Sequence, residues 1–201
     1  MKNLRDLGAY ILGGQIIQRV IADVERGEEV VDHQRKTIVA KTVSVGLIDE
    51  EGIVVNDYKT SFDHKKITRE GDIIVKLSAP YNAAVIDKEH EGMLISSFCA
   101  VIRIIDEFEL DKWYLVAFLN SEIAQTQLKN SVAGSVMNVL SSGKLYDLEI
   151  PLPPKEKQQE IGNLFKKIVK NRTLIKQMIK LENEKLNCMI TIAEAEDNGD
   201  W

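Results

Sequence analysis

Length, composition and charge set the first limits on this chain. It has 201 residues, of which 44% are hydrophobic and 28% charged, with a formal net charge of −5. This mixture excludes a largely disordered chain, and the length allows one compact domain with an extension or two small domains. The acidic balance argues against bulk nonspecific binding to polyanions, although basic segments at 63–69 and 164–172 leave one face able to hold a nucleic acid.

The sequence also indicates a cellular compartment. No apolar run approaches the length of a membrane span, and the start of the chain lacks the pattern of a signal peptide. The two cysteines, Cys99 and Cys188, lie far apart and form no CxxC pair, which predicts free thiols in a reducing environment. We therefore predict a cytoplasmic protein.

The first elements in chain order are strands. Residues 36–48 (KTIVAKTVSVGLI) are rich in β-branched side chains, and residues 71–80 (GDIIVKLSAP) place a short apolar run between a Gly-Asp turn and a proline. Residues 83–87 (AAVID) have the same character. Residues 96–105 (SSFCAVIRII) are almost continuously apolar, which predicts a central, buried strand.

A helical pattern follows and then returns to a strand. Apolar spacing in residues 110–130 predicts two short helices, with Asp111 and Ser121 as their N-caps. Residues 131–145 are small and polar, which predicts a loop with one helical turn, and residues 145–153 (LYDLEIPLP) predict a strand. Residues 1–150 therefore form a globular α+β domain with a mixed or antiparallel sheet.

The prolines at 151–154 mark a joint between that domain and a long helix. Residues 155–195 predict a helix of about 60 Å, with Pro154 in its first turn and an acidic tail at 196–201. Apolar residues alternate at spacings of 4 and 3, which is a heptad seam. The seam predicts pairing with a helix of another chain, although folding back on its own chain stays open; its members are Ile161, Phe165, Ile168, Arg172, Ile175, Ile179 and Leu186.

No catalytic motif stands out. The chain has no phosphate-binding glycine loop, and its three histidines stand singly, which predicts surface residues and no metal site. One enzyme alternative remains open, because Asp49, Asp57 and Lys59 resemble the spaced set with which some nucleases hold magnesium. A peptide-binding adaptor with a coiled-coil rod is a further alternative.

Three loops are suited to contacting a polyanion, at residues 58–66, 76–82 and 129–138. Lysines and small hydroxyls suit phosphates, while Asn, His and Lys side chains can read base edges in a major groove. We predict DNA contacts for Lys59, His64, Lys65, Lys66, Lys76, Tyr81, Asn82, Lys129, Ser131, Ser135 and Asn138.

Three stretches resemble a known family, the specificity subunits of type I restriction–modification systems, and specifically one half of such a subunit. Residues 71–86 resemble the family's Gly-Asp-Ile strand and following loop, and residues 113–122 its Tyr-Leu…Phe-Leu helix. Residues 133–165 are the most specific part. They resemble the family's Gly-Ser loop, its Ile-Pro-Leu-Pro-Pro run and its Glu-Gln-Ile helix start.

The resemblance implies a noncatalytic function. Members carry target recognition domains that read DNA and long helices that act as spacers. They direct a methyltransferase subunit, which uses S-adenosylmethionine, and through it a translocating restriction subunit. This chain carries one recognition domain and one helix, so the resemblance implies a homodimer that rebuilds the full subunit on a bipartite site, with no cofactor or metal of its own.

Overall fold

A computed structural model describes residues 1–62, 64–104, 109–134 and 139–197. The described chain is an α+β domain followed by one long helix, as the sequence predicts. Three sheets form the β part. Their strands are short, and the strands at the centre are the most apolar.

The largest sheet is antiparallel, and its strands lie in the order β2 (Tyr10–Gly13), β8 (Cys99–Arg103), β5 (Ile73–Lys76) and β6 (Ala83–Val85). Alternate side chains of β5 point to opposite faces: Ile73 and Val75 enter one core cluster, and Ile74 enters another. The prediction that residues 96–105 contain a central buried strand is confirmed for β8.

A second, three-stranded sheet covers one face of the first. It consists of β3 (Asp32–Ile38), β4 (Val54–Tyr58) and β7 (Leu94–Ile95), in the order β4-β3-β7. The strand predicted over 36–48 is only partly present, because β3 ends at Ile38 and a short 3-10 helix follows at Ala40–Thr42. There the chain turns across the second core cluster, and Ile38 and Val43 are both buried in it.

Two helices cover the other face of the large sheet. They are α1 (Lys112–Leu119) and α2 (Glu122–Val132). Both predicted N-caps are confirmed. A carboxylate oxygen of Asp111 accepts from the Tyr114 N–H at 2.9 Å, and the Ser121 hydroxyl accepts from the Ala124 N–H at 3.3 Å. Each cap satisfies a backbone donor that the helix itself leaves unpaired.

The stretch before the prolines differs from the prediction of a strand over 145–153. Its first residues lie in the short helix α3 (Ser142–Tyr146), and only β9 (Glu149–Ile150) is extended. β9 pairs antiparallel with β1 (Lys2–Asn3) at the start of the chain. This pairing depends on a partner nearly 150 residues away in sequence, which local propensity cannot indicate.

The long helix α4 (Lys155–Asp197) begins directly after Pro154, whose carbonyl oxygen accepts from the N–H groups of Lys157 and Gln158. Its first half packs on the domain and its second half extends away, with exposed side chains over the described part. At 1.5 Å per residue, the 43 residues span about 64 Å.

The two cysteines differ in burial, and one histidine is buried although a surface position was predicted for it. Cys99 is buried in the second core cluster, and burial raises its pKa to about 12, whereas Cys188 is exposed on α4. His90 is buried and not on the surface. Its Nδ1 and Nε2 atoms each lie 2.6 Å from a carboxylate oxygen, of Asp87 and Glu50 respectively.

Candidate DNA-binding surface and exposed helix face

The loop of residues 58–66 is anchored by its aromatic residues. Tyr58 is fully buried, and its ring packs edge-on against Phe62 with the ring centroids 5.3 Å apart. The Lys59 N–H donates to the Val20 carbonyl at 3.0 Å. These contacts fix the base of the loop, and Ser61, Lys65 and Lys66 are exposed.

The basic residues of that loop are not equivalent. Lys59 Nζ lies 2.8 Å from a carboxylate oxygen of Glu28, and this hydrogen bond holds the pKa of Glu28 below its ordinary value. Lys65 and Lys66 are exposed in a 3-10 turn that begins at His64. Lys59 therefore has an internal partner for its charge. Lys65 and Lys66 are both on the exposed surface, where the prediction places phosphate contacts.

The second loop, residues 76–82, is held by α2. Gln125 receives the Tyr81 N–H on Oε1 and donates from Nε2 to the Tyr81 carbonyl, both at 3.0 Å. The Tyr81 side chain is only 2% exposed and belongs to the core, so burial removes it from the set of DNA-contacting candidates. Lys76 and Asn82 are half-buried, and Asn82 Nδ2 lies 3.4 Å from the Val43 carbonyl oxygen.

The third predicted loop, residues 129–138, begins inside α2. Lys129 is exposed, and the Ser131 hydroxyl donates to the Leu128 carbonyl at 2.7 Å. Ser135 and Asn138 lie outside the described residues. Lys129 and residues 79–81 line one surface cavity of about 460 Å³, so the structure brings the second and third loops together. The first loop packs instead on a separate cluster around Ile17 and Leu94.

The magnesium alternative loses its residues to other partners. Asp49 pairs with Lys176 at 2.8 Å, Asp57 accepts from the Gln34 N–H at 2.7 Å, and Lys59 pairs with Glu28. Within residues 1–62, 64–104, 109–134 and 139–197, no three acidic, histidine or cysteine side chains are grouped as a metal site would require.

Two members of the predicted seam pack on their own domain. Ile161 and Phe165 are partly buried against the main core cluster, and Val169 is 8% exposed. Gly46 makes this approach close, since a Cβ there would lie 2.3 Å from a methyl carbon of Val169. Ile161 and Phe165, which were predicted to contact a partner helix, are thus partly covered by the chain's own domain: a heptad pattern shows which face is apolar but not what covers it.

Polar contacts also hold the helix on the domain further along its length. Arg172, a predicted seam member, donates to the Val45 carbonyl at 3.3 Å, and Lys176 pairs with Asp49.

Sequence reasoning missed the two residues that fix the start of the helix. Gln158 is 2% exposed and makes three hydrogen bonds to the domain, and a Cβ on Gly162 would lie 2.7 Å from an Asp111 oxygen. A glycine inside a helical pattern was the sequence feature that could have indicated this close contact.

The Lys176–Asp49 pair predicts a pH dependence of stability. Lys176 holds the pKa of Asp49 below its ordinary value, so the pair stabilises the fold above that value and is lost as pH falls through the depressed pKa. Both side chains are partly exposed, which limits the effect to below about 1 kcal/mol.

We expect Lys176→Ala to flatten the acid limb of the free energy of unfolding measured in urea between pH 5 and 2. Lys170→Ala, on an exposed lysine without this contact, should leave it unchanged; identical curves for wild type and Lys176→Ala would contradict the role of the pair.

The remaining seam residues form an exposed apolar face of α4. Ile168, Ile175, Ile179 and Leu186 are 39% to 57% exposed. With their apolar neighbours they occupy about a third of the helix circumference, given 3.6 residues per turn. We call this set the exposed stripe: Leu164, Ile168, Ile175, Met178, Ile179, Leu186, Met189 and Ile190.

The protein is an α+β domain with a long helix packed on it, and comparison with known proteins identifies its family. A family model described as the type I restriction modification DNA specificity domain matches residues 30–183. The chain belongs to this family. The membership confirms the resemblance found in the sequence.

Solved structures support the same fold. A chain of a structure described as the basis of complex assembly and conformational transition of the type I R-M system matches with a TM-score of 0.55 and 17% identity, over 94% of this chain and 42% of that one. The HsdS subunit from Thermoanaerobacter tengcongensis matches with a TM-score of 0.54 and 18% identity, over 94% of this chain and 49% of that one. This chain thus spans less than half the length of either, and at these identities the likeness concerns the fold. No curated protein sequence matches the chain.

Among the described residues, no helix combines the length and the apolar character that crossing a bilayer requires.

Proposed function

We propose that this chain is the noncatalytic specificity subunit of a type I restriction–modification system in the cytoplasm. It reads DNA with its α+β domain and positions that domain with α4. In this function it directs a methyltransferase subunit, which uses S-adenosylmethionine, and a restriction subunit to the site. The observation that carries the proposal is the family match over residues 30–183, which covers most of the domain and about the first two-thirds of α4.

The exposed stripe supports a second element of the proposal, pairing of α4 with α4 of another copy. Eight large apolar side chains on one side of a helix are an interaction surface, because a soluble protein rarely leaves such a row in water. A second copy of the chain supplies an identical stripe, as a twofold interface requires.

Charge along α4 favours the antiparallel arrangement. Residues 155–176 contain seven basic and two acidic residues, whereas residues 177–197 contain two basic and five acidic residues. Antiparallel helices place each basic half beside the acidic half of the partner, while parallel helices place like charges together.

Antiparallel pairing determines the form of the target site. The two recognition domains lie at opposite ends of the paired helices and read the same bases in opposite orientation. The proposed site is therefore an interrupted palindrome, since a twofold protein imposes its symmetry on the DNA.

Two experiments test the proposed function. The protein with its methyltransferase subunit should shift duplex DNA in a sequence-dependent way, and sequencing of methylated sites should reveal a motif that cells without this gene lack. Absence of both the shift and the motif would leave the protein-binding adaptor as the better reading.

Replacing Lys65 and Lys66 with Ala should weaken DNA binding about equally across sequences. Each lost phosphate contact lowers the slope of log K against log salt by up to about one unit. The measurement is a salt titration of binding by fluorescence anisotropy. Lys170→Ala with Lys180→Ala is the matched control, because both lysines are exposed on α4 outside the predicted contact loops, and it should change the slope less. An unchanged slope for the double variant would remove this pair from the interface.

A further inference from the structure

A cleft beside the first loop has features that the predicted contact loops lack. It has a volume of about 410 Å³ and lies between the 3-10 helix at Ile17–Arg19 and the edge of the three-stranded sheet. Its polar and aromatic lining comes from separate parts of the chain: Gln15, Gln18, Lys41, Asn56, Ser96 and Phe98.

The floor of the cleft is rigid. The Gln15 N–H donates to the Ile95 carbonyl, and the Ser97 N–H donates to the Gln15 carbonyl, both at 2.7 Å. Gly14 allows this approach, since a Cβ there would lie 1.9 Å from the Ser96 carbonyl oxygen. A site built on such a floor holds its side chains in place before a ligand arrives.

Several polar groups in the cleft lack partners. The side chains of Gln15 and Gln18 make no hydrogen bond within the part of the chain that the structure describes, and Asn56 makes one long contact of 3.4 Å to the Tyr58 hydroxyl. Ser96 is 6% exposed, and its hydroxyl hydrogen-bonds to the Cys99 thiol beside it, so this residue belongs to the wall of the cleft.

The charge of the lining separates this cleft from other surface cavities. Among the described residues that line it there is no carboxylate, and Lys41 is the one that carries a charge. Three other cavities each combine lysine with an acidic residue, namely Glu122, Asp49 and Asp147. In a chain of net charge −5, a lining free of acidic groups favours an electron-rich ligand.

We propose that this cleft is the base-reading site for duplex DNA, which deepens and rests on the proposed function. The amides of Gln18 and Asn56 can each donate and accept, which matches the N6 and N7 atoms of adenine in the major groove. Phe98, 53% exposed, offers apolar contact to a thymine methyl group. Lys41 contacts a guanine edge or a phosphate.

The position of the cleft fits this assignment. An isolated bridge pairs Ile21, which lines the cleft, with Tyr58 at the base of the first loop. Ile17 and Ile21 of the cleft lining pack in one cluster with Tyr58 and Phe62 of the first loop, which also carries the exposed Lys65 and Lys66. Phosphate contacts from the loop can fix the register while the cleft reads bases.

The test compares Gln18→Ala and Phe98→Ala with wild type, each bound to its methyltransferase subunit, by selection from a random duplex library. We expect each variant to lose discrimination at one half-site position, by about 10-fold to 100-fold for Gln18, while its salt slope stays that of wild type. Gln159→Ala, an exposed glutamine on α4, is the matched control, and equal thermal midpoints verify folding.

The outcomes separate the two proposals. Wild type that selects a motif, with both variants selecting the same motif at the same strength, overturns the cleft assignment and leaves the proposed function standing. Wild type that selects no motif overturns both. Weaker binding to all sequences by a folded variant, together with an altered salt slope, would make the cleft a phosphate contact and overturn base reading.

Discussion

Replacing both Ile168 and Ile175 with Asp is expected to convert a dimer of this chain into monomers. Both side chains belong to the exposed stripe and are 39% and 56% exposed in the single chain, so the substitution leaves the domain folded. In the paired helices they are buried, and an unpaired buried charge costs several kcal/mol. Symmetry doubles the number of charges in the interface.

Light scattering coupled to size exclusion at micromolar concentration measures this result. The double variant should elute with a mass near 22.7 kDa and the wild type with twice that mass. The variant Asn163→Asp with Lys170→Gln makes the same change in net charge at exposed positions on the opposite side of α4, and it should remain dimeric. A monomeric wild type would contradict self-pairing and leave a different half-subunit as the partner of the stripe.

Replacing Gln158 with Ala is expected to give the second large effect, a loss of about 2–4 kcal/mol in the free energy of unfolding. Gln158 Oε1 accepts from the Asp111 N–H at 3.0 Å, and Nε2 donates to the carbonyls of Glu109 and Pro153 at 3.1 and 3.0 Å. Truncation leaves buried backbone groups unpaired, and each such group costs about 1–3 kcal/mol. The cap of α1 is also weakened, because Asp111 is its N-cap.

Urea unfolding followed by far-UV circular dichroism measures this loss. The measurement is made in the Ile168→Asp, Ile175→Asp background, because stability then refers to one chain and does not depend on concentration. The adjacent Gln159 is exposed, so Gln159→Ala reproduces the change in helix propensity without breaking a contact. Equal stabilities of the two variants would show that Gln158 does not hold α4 on the domain.

Features determined by neighbouring residues were the most accessible to sequence reasoning. The caps at Asp111 and Ser121 depend on one side chain and a backbone group three residues away, and both were predicted correctly. The helix after the prolines was placed within two residues of its observed end, because proline fixes its start and no glycine or proline interrupts its second half.

Features that depend on distant contacts were missed or misassigned. β9 exists because it pairs with β1, and Ile161 and Phe165 are covered by the chain's own core, although their periodicity equally suits a partner helix. Tyr81 lies in a polar loop sequence, yet its side chain is buried in the core and its backbone N–H donates to Gln125. Gln18 and Asn56 line the same cleft because residues 21 and 58 pair, and no local sequence pattern predicts that they lie close together.

Because Cys99 is buried, a thiol reagent can label this chain at one site, Cys188. Its thiol, with a pKa of about 12, resists maleimide reagents at neutral pH, while the exposed Cys188 on the free half of α4 reacts. Spin labels can thus be attached without mutation. In an antiparallel pair centred on the middle of α4, the two labelled positions lie about 36 Å apart along the helix axis, whereas a parallel pair in register places them side by side. Pulsed dipolar spectroscopy on unmodified sequence therefore determines the direction of helix pairing.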